Sequence, residues 1–141
     1  TINSDLISET STLSVDKPSE QQIQFLIEKW LLSKSNVLSG KEAIDFSSFV
    51  EEDLYKRVFD ERSKDKSLKQ NQIIEASISS LNVNSRTSKR ISANVELNYK
   101  DQRIDATGKV ISETIIPSLK VRYILGRRKD IWKLVDYVSG I

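Results

Sequence analysis

The chain has no histidine, no cysteine and no methionine among its 141 residues. Without histidine it lacks the commonest general base and imidazole ligand. Without cysteine it has no disulfide, no zinc-thiolate site and no thiol nucleophile. That excludes no compartment, because a domain of this length can rest on its core alone. Glycine (4) and proline (2) are also scarce. No phosphate-cradling glycine-rich loop, G-x-S-x-G elbow or H-E-x-x-H helix occurs. No apolar run approaches the roughly 20 residues that span a bilayer, and the start lacks a basic-then-apolar signal pattern. Since the sequence opens on Thr1, it reads as an excised piece whose signal or membrane span would lie upstream. A dominant charge is missing as well: 22 basic residues face 20 acidic ones, for a net +2. Such a balance makes no field that would argue for nucleic acid. No cofactor, metal or catalytic residue is expected, and the chain reads as a binding module. Few Gly, Ala and Pro against many Ile, Lys, Asn and Ser suggest an AT-rich genome.

What is present falls into three stretches. Thr1 to Lys17 is rich in Ser and Thr, and its few apolar residues have no period. It is predicted to be a disordered linker, 1–17, with room for a short segment laid on the domain. Residues 18–141 read as a single α+β binding domain. Ser19 with Gln22 forms a capping box after Pro18. Ile23, Leu26, Ile27, Trp30 and Leu31 then follow at helical spacing, with Ser39-Gly40 as the stop. Phe25 and Leu32 lie off that stripe and predict that the helix is covered on more than one side. A second helix is predicted from Asp45 or Ser48, with Ser48 to Glu51 as its capping box. Its stripe is Phe46, Phe49, Val50, Leu54 and Val58.

Beyond Ile73 the period changes to two. Ile74, Ala76 and Ile78 alternate with polar residues, and so do Ile91, Ala93, Val95, Leu97 and Tyr99. Asn82 to Lys89 is expected to connect these strands. Asp101-Gln102 reads as a tight turn and Gly108 as a bulge inside a third strand. Pro117 reads as an interruption before a fourth strand, Leu119 to Leu125, and Trp132, Leu134 and Val138 mark the last. Helices followed by half-buried strands predict an α+β, cone-shaped fold of nuclear-transport-factor-like type. In it the N-terminal helices pack on a curved antiparallel sheet of four to five strands.

Candidate chemistry is sparse. Glu51, Glu52 and Asp53 point in different directions on a helix and read as a solvated N-terminus. Asp136 shares the parity of Trp132 and Leu134, so it could face a pocket as a lone base, although strand ends often twist outward. Arg122, Arg127, Arg128, Lys129 and Lys133 gather at the last hairpin and, with Arg86, Lys89 and Arg90, could form a basic rim. One reading is docking of carboxylates; the other is a charged turn that discourages edge pairing. Trp30, Tyr55, Tyr99, Tyr123 and Trp132 fit a core, or in part a gripping mouth. The candidate partner-binding residues are therefore Trp30, Tyr123, Trp132, Arg122, Arg127 and Arg128.

Two stretches carry a resemblance. Ile27-Glu28-Lys29-Trp30-Leu31-Leu32-Ser33-Lys34 is similar to the W-L-x-x-K helix that opens the C-terminal domain of the ZipN/Ftn2 division protein family of cyanobacteria and chloroplasts. Leu119-Lys120-Val121-Arg122-Tyr123-Ile124-Leu125 with Trp132-Lys133-Leu134 resembles that domain's last two strands, V-x-Y-x-L-x-R…W-K-I. The stretch Phe59 to Asn71 is poorer in aromatics than the family.

The resemblance implies a non-enzymatic protein-protein interaction domain of a membrane-tethered cell-division scaffold. It implies a location on the periplasmic face of the inner membrane, or the intermembrane space (IMS) in plant relatives, with a division protein as partner. A cytoplasmic location is the alternative. Two rivals stand beside it. A stand-alone small-ligand or enzymatic cone using Asp136 needs a deep polar pocket, which an aromatic-filled interior would deny. A single-strand RNA binder would use the basic hairpin.

Overall fold

The computed structural model describes residues 12–41 and 45–140. The first eleven residues of the stretch read as a linker therefore lie outside the described part. Helix α1 spans Glu20–Leu38 and starts as its sequence dictates. The Ser19 hydroxyl accepts from the Gln22 backbone at 3.1 Å, and the Gln22 side chain accepts from the Ser19 backbone at 2.9 Å. A single 3-10 turn, Phe46–Ser48, is capped by Asp45, whose carboxylate accepts from the Ser47 N–H at 2.9 Å. That contact holds the Asp45 carboxyl below its ordinary range. Helix α2 spans Glu52–Ser67.

The expected capping box at Ser48 does not form. Glu51 is the N-cap and makes no side-chain cap bond. The reason lies across the chain. Val50 bridges to Leu134: the Leu134 N–H donates to Phe49 O at 2.8 Å, and the Glu51 N–H to Leu134 O at 2.9 Å.

Four strands follow: β1 Asn71–Arg86, β2 Arg90–Ile104, β3 Val110–Arg128 and β4 Ile131–Ser139, in one antiparallel sheet of that order. The α+β prediction holds, with four strands in the predicted range of four to five. The strands are longer than their patterns suggest. β1 runs on to Arg86, so the first hairpin turns only at residues 87–89 and not across Asn82 to Lys89. Asp101-Gln102 is no turn: both residues stay in β2, opposite Thr114 and Glu113. The turn falls at Asp105 to Lys109, where the Asp105 carboxylate accepts from the backbone N–H groups of Thr107 and Lys109. Gly108 sits there at φ +87°, a conformation that suits a residue without Cβ, so it is a turn residue and not a mid-strand bulge. Pro117 does not end a strand. The pairing skips from Tyr99↔Ile116 to Leu97↔Leu119, so a bulge absorbs the missing N–H inside one 19-residue strand.

Further register shifts at Ile78/Ser80, Val83/Ser85 and Ile124/Leu125 bend the sheet. Its buried face carries Ile91, Ala93, Val95, Leu97, Val121, Tyr123 and Leu125. The helices cover this face with Ile23, Ile27, Trp30, Leu54 and Val58. Each such side chain fully buried is worth roughly 1.5–3 kcal/mol. The predicted stripes on α1 and α2 are largely the core, but Phe25 is only half-buried and Leu32 is exposed. The second side of α1 is open among the described residues.

Candidate functional site

The interior of the cone is filled by rings. Trp30 lies 5.8 Å from Phe46 and 5.9 Å from Tyr137, Phe46 stacks on Tyr55 at 5.9 Å, and Tyr123 lies 6.0 Å from Tyr137. Burial pushes the Tyr123 hydroxyl to a higher pKa, and it stays protonated. Trp30, Tyr123 and Trp132 are at most 2% exposed. All three anchor candidates are therefore core residues in this state. Asp136 is exposed, and its carboxylate accepts from the Tyr137 N–H at 2.9 Å. The extra residue Val135 shifts the β3–β4 register. Tyr137 thereby joins the core and Asp136 faces water, so Asp136 is not a pocket base.

The basic residues are divided among internal tasks. Arg127 is 2.7 Å from Asp16 and 3.5 Å from Asp130, and Arg128 is 3.1 Å from Glu51. Arg86 donates to Pro18 O at 2.6 Å. Arg122 is exposed and donates to the Asn94 side chain at 3.2 Å. The hairpin does recruit carboxylates as its charge suggests, but those it holds belong to this chain.

A second polar cluster ties α2 to the far end of the sheet, and nothing in the sequence pattern announced it. Asp65 is 2% exposed and accepts from Arg103 at 2.6 Å and from Gln72 at 2.8 Å. Gln72 also donates to Glu61. Burial alone would raise the Asp65 carboxyl, but the bonds from Gln72 and Arg103 outweigh it and hold it below the ordinary carboxylate range. Beside this cluster Tyr99 donates to Asp101 at 2.6 Å, and burial together with that bond pushes its hydroxyl up. These groups satisfy one another, which marks a structural clamp.

An unfilled apolar surface lies along α1. An open groove of about 610 Å³ runs between α1 and the part of the sheet made by β1, β2 and β3. Its helix wall includes Phe25, Glu28, Leu31 and Leu32; its sheet wall includes Ile74, Glu75, Lys100 and Ile115. Leu32 is 55% exposed and Ile115 is 58% exposed. Among the described residues β1 has no strand on its other side, and the carbonyl of Ile74 accepts from the Ser35 hydroxyl at 3.0 Å. The off-stripe positions Phe25 and Leu32 were the one sequence signal for this groove. Among the described residues no cluster of acidic side chains could hold a metal ion.

Two helices on a bent four-stranded sheet, with a ring-filled interior and an apolar groove outside, define a cystatin-like α+β domain. The family profile described as "ARC6-like, IMS domain" matches residues 24–135, and the chain belongs to that family. This is the division-protein family that the Trp30 helix and the last two strands resemble. The intermembrane space region of the chloroplast protein ARC6 is similar in structure, with a TM-score of 0.68 at 16% identity. That match covers 87% of this chain and 97% of that one. An uncharacterized protein with a cystatin-like fold from Caulobacter vibrioides is similar at TM-score 0.53 and 13% identity, covering 84% and 86% of the two chains. A search of curated proteins finds no match.

Proposed function

We propose that this domain is a non-enzymatic docking module of a membrane-tethered division scaffold. It works on the outer, periplasmic face of the inner membrane, and it holds an extended segment of a division protein in the groove along α1. The observation that carries this reading is a groove with exposed apolar side chains, Leu32 and Ile115, whose sheet wall includes β1, a strand with no second strand partner among the described residues. An unpaired edge offers main-chain hydrogen bonds to an added strand, and apolar walls select its side chains. Glu28, Glu75 and Lys100 on the same walls offer charges of both signs for register. Membership of the ARC6-like family supports the division role, and the ring-filled interior supports binding over catalysis. The Trp30, Tyr123 and Trp132 side chains act in this proposal as the rigid floor behind the docking surfaces, while Arg122 is the hairpin cation best placed for a partner carboxylate.

The test is to mix the folded domain with the periplasmic regions of division proteins and measure binding by calorimetry. Binding that is lost in Leu32→Glu and in Ile115→Glu, with unchanged melting curves, supports the reading. Absence of binding to every such region by folded protein contradicts it.

A further inference from the structure

The edge of β4 is closed by two pieces of chain that differ in how firmly they are held. Phe49 to Glu51 covers Leu134 and is built into the core, with Val50 1% exposed. Residues 12–17 cover Trp132 and are held from outside. The Leu13 carbonyl accepts from the Trp132 backbone N–H at 2.8 Å, and the Val15 carbonyl accepts from its indole Nε1–H at 2.8 Å. The Asp16 carboxylate meets Arg127 at 2.7 Å while remaining 90% exposed. Val15 is itself 40% exposed. This strap precedes Pro18, and the α1 cap of Ser19 and Gln22 is complete without it. Lifting it leaves the helix cap and the strand pairing of the sheet in place, and takes from the core only the contact of Leu13 and the cover over Trp132.

Lifting would leave two donors on Trp132 without acceptors, at a side chain that is 0% exposed with the strap in place. Buried donors of this kind require partners. Arg127 would lose its strongest carboxylate, and its Nε already has no hydrogen-bond partner among the described residues. The vacated edge would therefore ask for carbonyls two residues apart and a carboxylate one residue further on.

We infer that residues 12–17 are a displaceable strap occupying a second docking site, and that the β4 edge beneath them takes an extended partner segment of the strap's own pattern: aliphatic, any residue, aliphatic, carboxylate. The site uses Trp132 and Arg127, lies apart from the α1 groove, and shares with the proposed function only the idea of a protein partner. The strap acts as an internal competitor, so an external segment gains access in proportion to how weakly the strap is held.

The experiment titrates the full chain with a synthetic peptide of the strap sequence, Thr-Leu-Ser-Val-Asp-Lys, and follows the Trp132 indole N–H by nuclear magnetic resonance. Wild type is compared with Asp16→Ala, which loosens the strap, leaves the docking edge intact and removes only an exposed side chain. The Asp16→Ala chain should bind the peptide about tenfold more tightly than wild type, the factor expected for one charge-assisted bond. A peptide with alanine for its aspartate should bind that variant about tenfold more weakly. Equal affinity for the two chains overturns the inference, as does binding to neither or a response at Leu32 and Ile115 in place of Trp132. Dimers of the Asp16→Ala chain in sedimentation would show that straps exchange between copies and would overturn the external partner. Groove variants leave this titration unchanged, so it fails or succeeds separately from the division-protein assay.

Discussion

β2 and β3 each have a packed half and an overhanging half. In the packed half, Ile91, Ala93, Val95 and Leu97 are at most 2% exposed, and Val121 to Arg128 are paired with β4. In the overhanging half the hairpin runs past the end of β4, and Val110, Ile111 and Ile115 are 44–58% exposed. The strands are continuous through both halves, and the register changes at the bulge of Asn98 against Pro117 and Ser118. The packed half carries the stability. The overhang is anchored by the polar clamp of Asp65, Gln72 and Arg103, and it contributes Ile115 and Lys100 to the groove. Strand pairing and this clamp order it, and its exposed apolar side chains are left for another molecule.

The contrast can be broken most strongly in the packed half. Trp30→Ala should cost about 3–5 kcal/mol in urea unfolding, because a buried ring is lost and a cavity remains. Removing the neighbouring exposed side chain, Leu32→Ala, should change stability by less than about 0.5 kcal/mol. Next in size is the clamp. Asp65→Ala removes the buried acceptor that Gln72 and Arg103 share and leaves them only Glu61, and a loss of about 1–3 kcal/mol is expected. Amide exchange should quicken at Asn71 to Ile74 and at Asp101 to Ile104, and not at Ile91 to Leu97.

Acid sharpens the same point. The folded Asp65 carboxyl is held below its ordinary range, so its contribution is fully present above the ordinary carboxylate value and is lost as pH falls through the lowered one. Arg103→Ala should flatten the acid limb of a stability-versus-pH curve in that range. The smallest effect is at the β3–β4 turn, where Lys129 and Asp130 adopt φ +51° and +68°. A two-residue hairpin turn of this hand favours Asn or Gly. Lys129→Asn should raise stability by up to about 1 kcal/mol, read as a higher urea midpoint.

Local rules were legible and long-range ones were not. The Ser19–Gln22 box and the α1 stripe follow from spacing within one helix, and the structure reproduces both. Ser48 to Glu51 obeys the same local rule but fails, because Leu134, more than eighty residues away, requires Phe49 and Glu51 as backbone partners. Asp101-Gln102 reads as a turn and the stretch from Asp105 to Gly108 as strand, and the structure reverses both. Only the second has an Asp whose carboxylate gathers the turn's N–H groups and a Gly at positive φ. Asp136 was ambiguous because strict alternation cannot register an inserted residue such as Val135. The groove was legible only as an inconsistency, two apolar residues off the buried stripe of α1. The strap was legible only as room for a short segment laid on the domain; its contacts, which join Leu13 and Val15 to Trp132 across the whole domain, were not.

The central claim is that the open groove along α1 holds a partner while the packed half merely supports it. The most direct measurement is the affinity of the folded domain for a division-protein segment, taken with wild type, Leu32→Glu and Ile115→Glu. The account predicts that both variants melt like wild type and lose binding about tenfold or more. Binding unchanged in both folded variants would contradict it.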